Sequence, residues 1–211
     1  MRIGIVTDIH DDVARLRAAL VELLAAGVDA VVSLGDTSDL HGKGEDVAGV
    51  AAALQAAGAV GVWGNHDFGL CRDVAAETAG RFPAATLAYL ATMRPRLELA
   101  GCHFSHVEPW LDGEKLEDLW CFEGQPDEPD RLSRSFSAVP HRAAFMGHFH
   151  RWLAATEDGK LAWDGTAPLT LEPGRRYLVV VGPLFRGDFA ILDTDRWVLE
   201  PRRLAHDPHA P

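Results

Sequence analysis

The apolar residues of this chain come in short runs at regular intervals. Residues 2–7 are an apolar run with β-branched Ile3, Ile5 and Val6, the pattern of a buried strand. Asp11 and Asp12 follow, and then Val13, Leu16, Leu20, Leu23 and Leu24 recur at helical spacing until Gly27 stops the pattern. Residues 29–34 predict a second buried strand, residues 45–57 an Ala-rich helix ended by Gly58, and residues 59–63 a third strand. Alternating strands and helices of this length imply a parallel sheet with helices on its faces.

The second half has a different rhythm. Residues 68–94 read as helical with an interruption at Pro83, and Arg96–Leu99 and Cys102–Ser105 as short strands around Gly101. Residues 107–140 are rich in Asp, Glu and Pro, with Trp110, Trp120, Phe122 and Phe136 among them. Residues 143–146 restore a buried strand. Period-two alternation then marks residues 152–156, 161–163, 177–181, 189–192 and 197–199, with a turn at Glu157-Asp158-Gly159. These strands are expected to form antiparallel hairpins in a second sheet against the first. The tail after Leu204 is expected to fray. With no internal repeat and no linker, residues 1–211 read as one domain.

Composition narrows this reading. Hydrophobic residues make up 47% and charged residues 24%, a globular balance. No apolar run approaches the ~20 residues of a membrane span, and the strand pattern begins at once, so a cytoplasmic location is expected. Cys71, Cys102 and Cys121 show no CxxC spacing and read as reduced thiols. A net charge of -11 argues against a basic surface for duplex nucleic acid, yet it leaves room for a small phosphorylated substrate if metal ions supply local positive charge.

The candidate chemistry lies where the strand patterns end. Asp8-Ile9-His10 follows the first strand, Gly35-Asp36 the second and Gly64-Asn65-His66-Asp67 the third; His106 and Gly147-His148-Phe149-His150 follow two later strands. Sites in open α/β sheets gather beyond the carboxyl ends of parallel strands, so these loops can converge. Carboxylate oxygen with imidazole nitrogen suits manganese, iron, zinc or similar divalent ions. Histidines outside the blocks (His41, His103, His141, His206, His209) read as packed or solvated side chains. Asp11 and Asp12 read as residues at a helix N-terminus.

In their order, these blocks closely resemble the calcineurin-like metallophosphoesterase superfamily, whose pattern is DxH, GD, GNH(D/E), a lone H and GHxH. The match spans residues 8 to 150. The resemblance implies two mixed β-sheets packed face to face and flanked by helices, with a dimetal site at the strand C-terminal ends. It assigns Asp8, His10 and His150 to a first metal, Asp36 to a bridge, and Asn65, His106 and His148 to a second metal. Two divalent ions follow, manganese first, with iron, zinc or nickel as alternatives. His66 becomes a general acid that contacts substrate with Asn65 and protonates the leaving oxygen. An aspartate three residues after the bridge pairs with that histidine in the protein-phosphatase branch, which suggests Asp39 as the residue that orients His66. Asp67 is open to a separate reading, as a support of the loop.

The implied reaction is hydrolysis of a phosphodiester or phosphomonoester by a hydroxide bridging the ions. Two departures bear on substrate. The arginine of the GDxVDRG pattern, a phosphate clamp, is replaced by Leu40, which turns the reading from protein or dinucleoside-polyphosphate phosphatases toward the small bacterial phosphodiesterase-like members. Arg186, in a turn, is a candidate for phosphate contact, and residues 107–140 for a lid. The alternative of another class is a non-catalytic metal-binding interaction module. Survival of His66 with all seven ligand positions favours the enzyme.

Overall fold

The computed structural model describes residues 1–39 and 46–205. Leu40 and His41, and the tail with His206 and His209, lie outside the described residues. Among the described residues, twelve strands form two six-stranded sheets. In chain order they are β1 (Arg2–Val6), β2 (Ala30–Ser33), β3 (Val60–Gly61), β4 (Arg96–Leu99), β5 (Cys102–Ser105), β6 (Ala143–Met146), β7 (Leu153–Thr156), β8 (Gly159–Lys160), β9 (Leu169–Thr170), β10 (Tyr177–Val180), β11 (Asp188–Asp193) and β12 (Val198–Arg203). The helices are α1 (Val13–Ala25), α2 (Val47–Ala56), α3 (Phe68–Cys71), α4 (Ala76–Ala79), α5 (Ala84–Leu90), α6 (Leu116–Leu119) and α7 (Pro129–Ala138).

The first sheet has the order β3-β2-β1-β11-β12-β9, with β1, β2 and β3 parallel and the rest antiparallel. The second has the order β4-β5-β6-β10-β7-β8, with β5, β6 and β10 parallel at its centre. Alternation along each strand sends every second side chain to the opposite face. Ile3, Ile5 and Val32 of the first sheet, with Leu34 just beyond β2, thereby meet Phe104, Phe145, Tyr177 and Val179 of the second in an apolar core between them. The opposite face of the first sheet packs on α1, α2 and α5 through Val6, Leu16, Leu23, Leu54 and Leu90. The outer face of the second takes α7 through Leu132, Phe136, Met146, Leu178 and Val180. Helix α1 starts at Asp12, whose carboxylate accepts the Arg15 amide at 2.9 Å, and closes in a Schellman turn where Gly27 N–H reaches Leu24 and Val28 N–H reaches Leu23.

Several expectations need correction. The C-terminal strands do not all build the second sheet: β9, β11 and β12 extend the first, because Arg2–Ile5 leaves one β1 edge unpaired by β2 and β11 fills it from Asp193 to Ala190. Helices cover only one face of each sheet, since the other faces cover one another. Residues 68–94 form three short helices instead of one interrupted helix, broken also at residues 72–75. Residues 161–163 are not a strand, and β3 is only two residues long, continued by a bridge from Val62 to Arg94. Helix α7 packs on the outer face of the second sheet.

Candidate metal centre

The blocks named from the sequence converge at one rim of the sandwich. Asp8 and His10 leave β1, Asp36 leaves β2 and Asn65 and His66 follow β3; His106 follows β5, and His148 and His150 follow β6. Tight turns aim these side chains. Asp8, His10, Asp36, His148 and His150, five of the seven expected ligands, have φ between 49° and 69°. Left-handed backbone at non-glycine residues costs on the order of 1 kcal/mol each and persists where the surroundings impose it. Two glycines permit close approach. A Cβ at Gly64 would fall 2.1 Å from an Asp36 carboxylate oxygen, and one at Gly147 would fall 2.0 Å from Thr7 Oγ1.

Two groups of donors share Asp36. In the first, ligand atoms of Asp8, His10, Asp36 and His150 all lie within 4.8 Å of one another. His10 Nε2 is 3.4 Å from His150 Nε2, which is 3.3 Å from Asp8 Oδ1. In the second, His106 Nε2 is 3.3 Å from Asp36 Oδ2 and 3.0 Å from Asn65 Oδ1, and His148 Nδ1 is 3.2 Å from the same Asn65 oxygen. Neighbouring donors around one ion with bonds of about 2.0–2.2 Å stand roughly 3.0–3.4 Å apart. Asp36 thus faces both groups, as a bridging carboxylate would.

The electrostatics also fit cations. Asp8 and Asp36 are buried, and their ion-pair partners among the described residues are histidines. Burial would raise the Asp36 carboxyl, but the charge and hydrogen bond of His106, with His10 and His66, hold it well below the usual carboxylate range. Burial would lower His106, yet Asp36 raises it. Burial lowers His10, and burial with the adjacent His106 pushes His148 down to about 4. His106 Nδ1 lies 2.8 Å from the Leu34 carbonyl, a contact that fixes the ring so that Nε2 faces Asp36 and Asn65.

Asp39 and Asp67 hold different partners. Asp39 Oδ1 accepts from His66 Nδ1 at 2.9 Å, while Asp67 is buried and serves the loops. Asp67 accepts from the amides of Thr37, Ser38 and Gly64 and from both hydroxyls, at 2.8–3.1 Å. Asp11, read from the sequence as a helix-start residue, instead accepts the Asp39 amide at 3.1 Å and so supports the support. Sequence reasoning missed Thr37, Ser38 and Phe185, whose ring centroid lies 5.0 Å from His150. Only the GD-to-GNH pairing in space could have found the first two. Arg186 donates to the His150 carbonyl at 3.2 Å.

The segment after His106 splits in two. Trp110 packs toward the core, with Arg134 over its face. Trp120 and Phe122 instead flank the site: Trp120 lies 5.2 Å from His66, and Phe122 stacks on His148 at 4.4 Å. The chain matches the calcineurin-like phosphoesterase superfamily domain over residues 1–196.

The chain belongs to that superfamily.

As a member of it, this protein is a hydrolase of phosphoester bonds, and the clustered donors are candidate ligands for the divalent metals such enzymes bind. No curated protein matches the chain. Among solved structures, a metallophosphoesterase from Sphaerobacter thermophilus is 22% identical, with 98% of this chain and 90% of that one covered and a TM-score of 0.78. A putative diadenosine tetraphosphatase is 19% identical over 98% and 95%, with a TM-score of 0.59. An archaeal phosphodiesterase is 16% identical over 97% and 100%, with a TM-score of 0.56. At these identities the likeness is one of fold.

Proposed function

We propose that this superfamily member is a dinuclear phosphodiesterase acting on small phosphodiesters. The observation that carries the dinuclear reading is Asp36, buried between two donor groups. Asp8, His10 and His150 would hold one ion with Asp36; Asn65, His106 and His148 would hold the other. Bound there, two divalent ions, manganese first, would supply the Lewis acidity that activates a water and neutralises phosphate charge.

The protein's own residues do the rest. His66 gives a proton to the leaving oxygen, and Asp39 fixes its ring through Nδ1. Asp67 and Asp11 hold the loops that bring this pair beside Asp36. The preference for diesters rests on Leu40, where the pattern otherwise has a clamping arginine, and on the aromatic rim. A diester phosphate carries one negative charge and a second organic substituent. Trp120 (37% exposed) and Phe122 (58% exposed) offer apolar surface beside His66 and His148 for that substituent. The manganese-loaded protein is expected to cleave bis-p-nitrophenyl phosphate with a higher kcat/KM than p-nitrophenyl phosphate. Faster cleavage of the monoester would overturn the diester preference, and no cleavage of either by protein with two bound metals would favour an interaction module.

A further inference from the structure

A second group of metal-ligand side chains lies away from the Asp36 centre and shares no residue with it. Glu98 of β4 sits directly opposite His103 of β5 in the antiparallel register, and His103 lies beside Ala144 of β6. Cys102 and Phe104 point into the core between the sheets, so alternation sends His103 to the other face. His141 arrives there from the turn just before β6. Ligand atoms of Glu98, His103 and His141 lie within 4.8 Å of one another, and His141 Nε2 is already 3.5 Å from Glu98 Oε2.

The decisive feature is His103. Its side chain is 1% exposed, and neither ring nitrogen has a hydrogen-bond partner. His141 Nδ1 is buried and unpartnered too. Buried polar groups in folded proteins are almost always satisfied, and an orphaned imidazole calls for an explanation. Burial, then the neighbouring His141 and Arg96, lower the His103 pKa to about 4, so at neutral pH the ring presents a lone pair. Arg96 opposes a cation here and the Glu98 carboxylate offsets it. Glu98 is well exposed, which leaves water access for a further ligand.

We propose that Glu98, His103 and His141 form a mononuclear zinc site that braces the β4–β5 hairpin against the entry to β6. Two imidazoles and one carboxylate with an open fourth position suit zinc, whose bonds of about 2.0–2.2 Å require donors roughly 3.3 Å apart. Side-chain rotation of Glu98 and His141 closes the remaining distance.

The test counts metal. Full-length protein is loaded with zinc, excess is removed, and bound zinc is measured by elemental analysis in the parent and in a Glu98→Gln/His141→Gln variant. The variant is expected to hold one equivalent fewer, with unchanged phosphoesterase activity. In an Asp36→Asn background, zinc should still raise the Tm, and adding His141→Gln should make that rise smaller, because zinc bound at this site stabilises the folded state alone. Equal zinc in parent and variant, or a rise in Tm undiminished by His141→Gln, would overturn the site. His103→Gln serves as a third variant; should it fail to fold, the two more accessible positions still decide the matter.

Discussion

At the scale of single residues, three side chains that look alike in the sequence do different work. Asp36 faces two donor groups, Asp39 faces His66, and Asp67 accepts hydrogen bonds from backbone amides and hydroxyls among the described residues. Their substitutions should separate accordingly. Asp36→Asn should lose bound metal, read by elemental analysis; two retained ions would refute the bridge. His66→Asn should keep both ions and lower kcat by about 10²–10⁴-fold, the usual worth of a positioned proton donor, most steeply for poor leaving groups. Asp39→Asn should cost less than His66→Asn, since it leaves the donor in place; an equal loss would show that Asp39 does more than hold the ring.

At the scale of elements, the segment from His106 to α7 explains how an acidic, proline-rich stretch stays in register beside the site. Glu108 is buried and pairs with Arg131 of α7, whose Nε donates to Oε1 at 2.7 Å. The same guanidinium reaches the Glu123 carbonyl, next to Phe122. One ion pair thus ties α7 to the loop that places Phe122 against His148. Removing one partner of a buried pair strands the other charge. Glu108→Ala should therefore lower stability by roughly 3 kcal/mol, and the Glu108→Met/Arg131→Met double variant should recover much of it. Urea unfolding of the four proteins of the cycle checks this; strictly additive effects would mean that the pair is not coupled. The aromatics of this segment are legible only as a group in the sequence. Which of them packs inward is set by this clamp, and a local pattern carries no trace of a partner 23 residues away.

At the scale of the whole molecule, the four layers bury titratable groups whose protonation is tied to folding. No described helix is long and apolar enough to cross a membrane. His103 is held neutral in the folded protein, with its pKa lowered from 6.5 to about 4. The unfolded chain binds a proton there that the folded chain refuses. That contribution is fully present above pH 6.5 and is lost as pH falls toward 4, by about 3 kcal/mol in total. In metal-free protein, urea-derived stability should fall more steeply between pH 6.5 and 4.5 for the parent than for His103→Gln. Identical slopes would contradict it. His148 titrates in the same direction, so the comparison of parent with variant isolates His103.

The sequence by itself determined the strand-end placement of Asp8, Asp36, Asn65, His66, His106, His148 and His150, because each follows a short apolar run and the order of blocks is specific. It also determined the first sheet's parallel core, since period and breaker residues act over a few positions. Only the tertiary structure decided that β11 and β12 join β1, because edge pairing depends on which strand remains open after the others have paired. It alone divided labour between Asp39 and Asp67, placed Asp11 behind Asp39, and brought Glu98 and His141 to His103. Those outcomes depend on contacts between distant segments, and packing and hydrogen-bond geometry select among candidates that look equivalent along the chain.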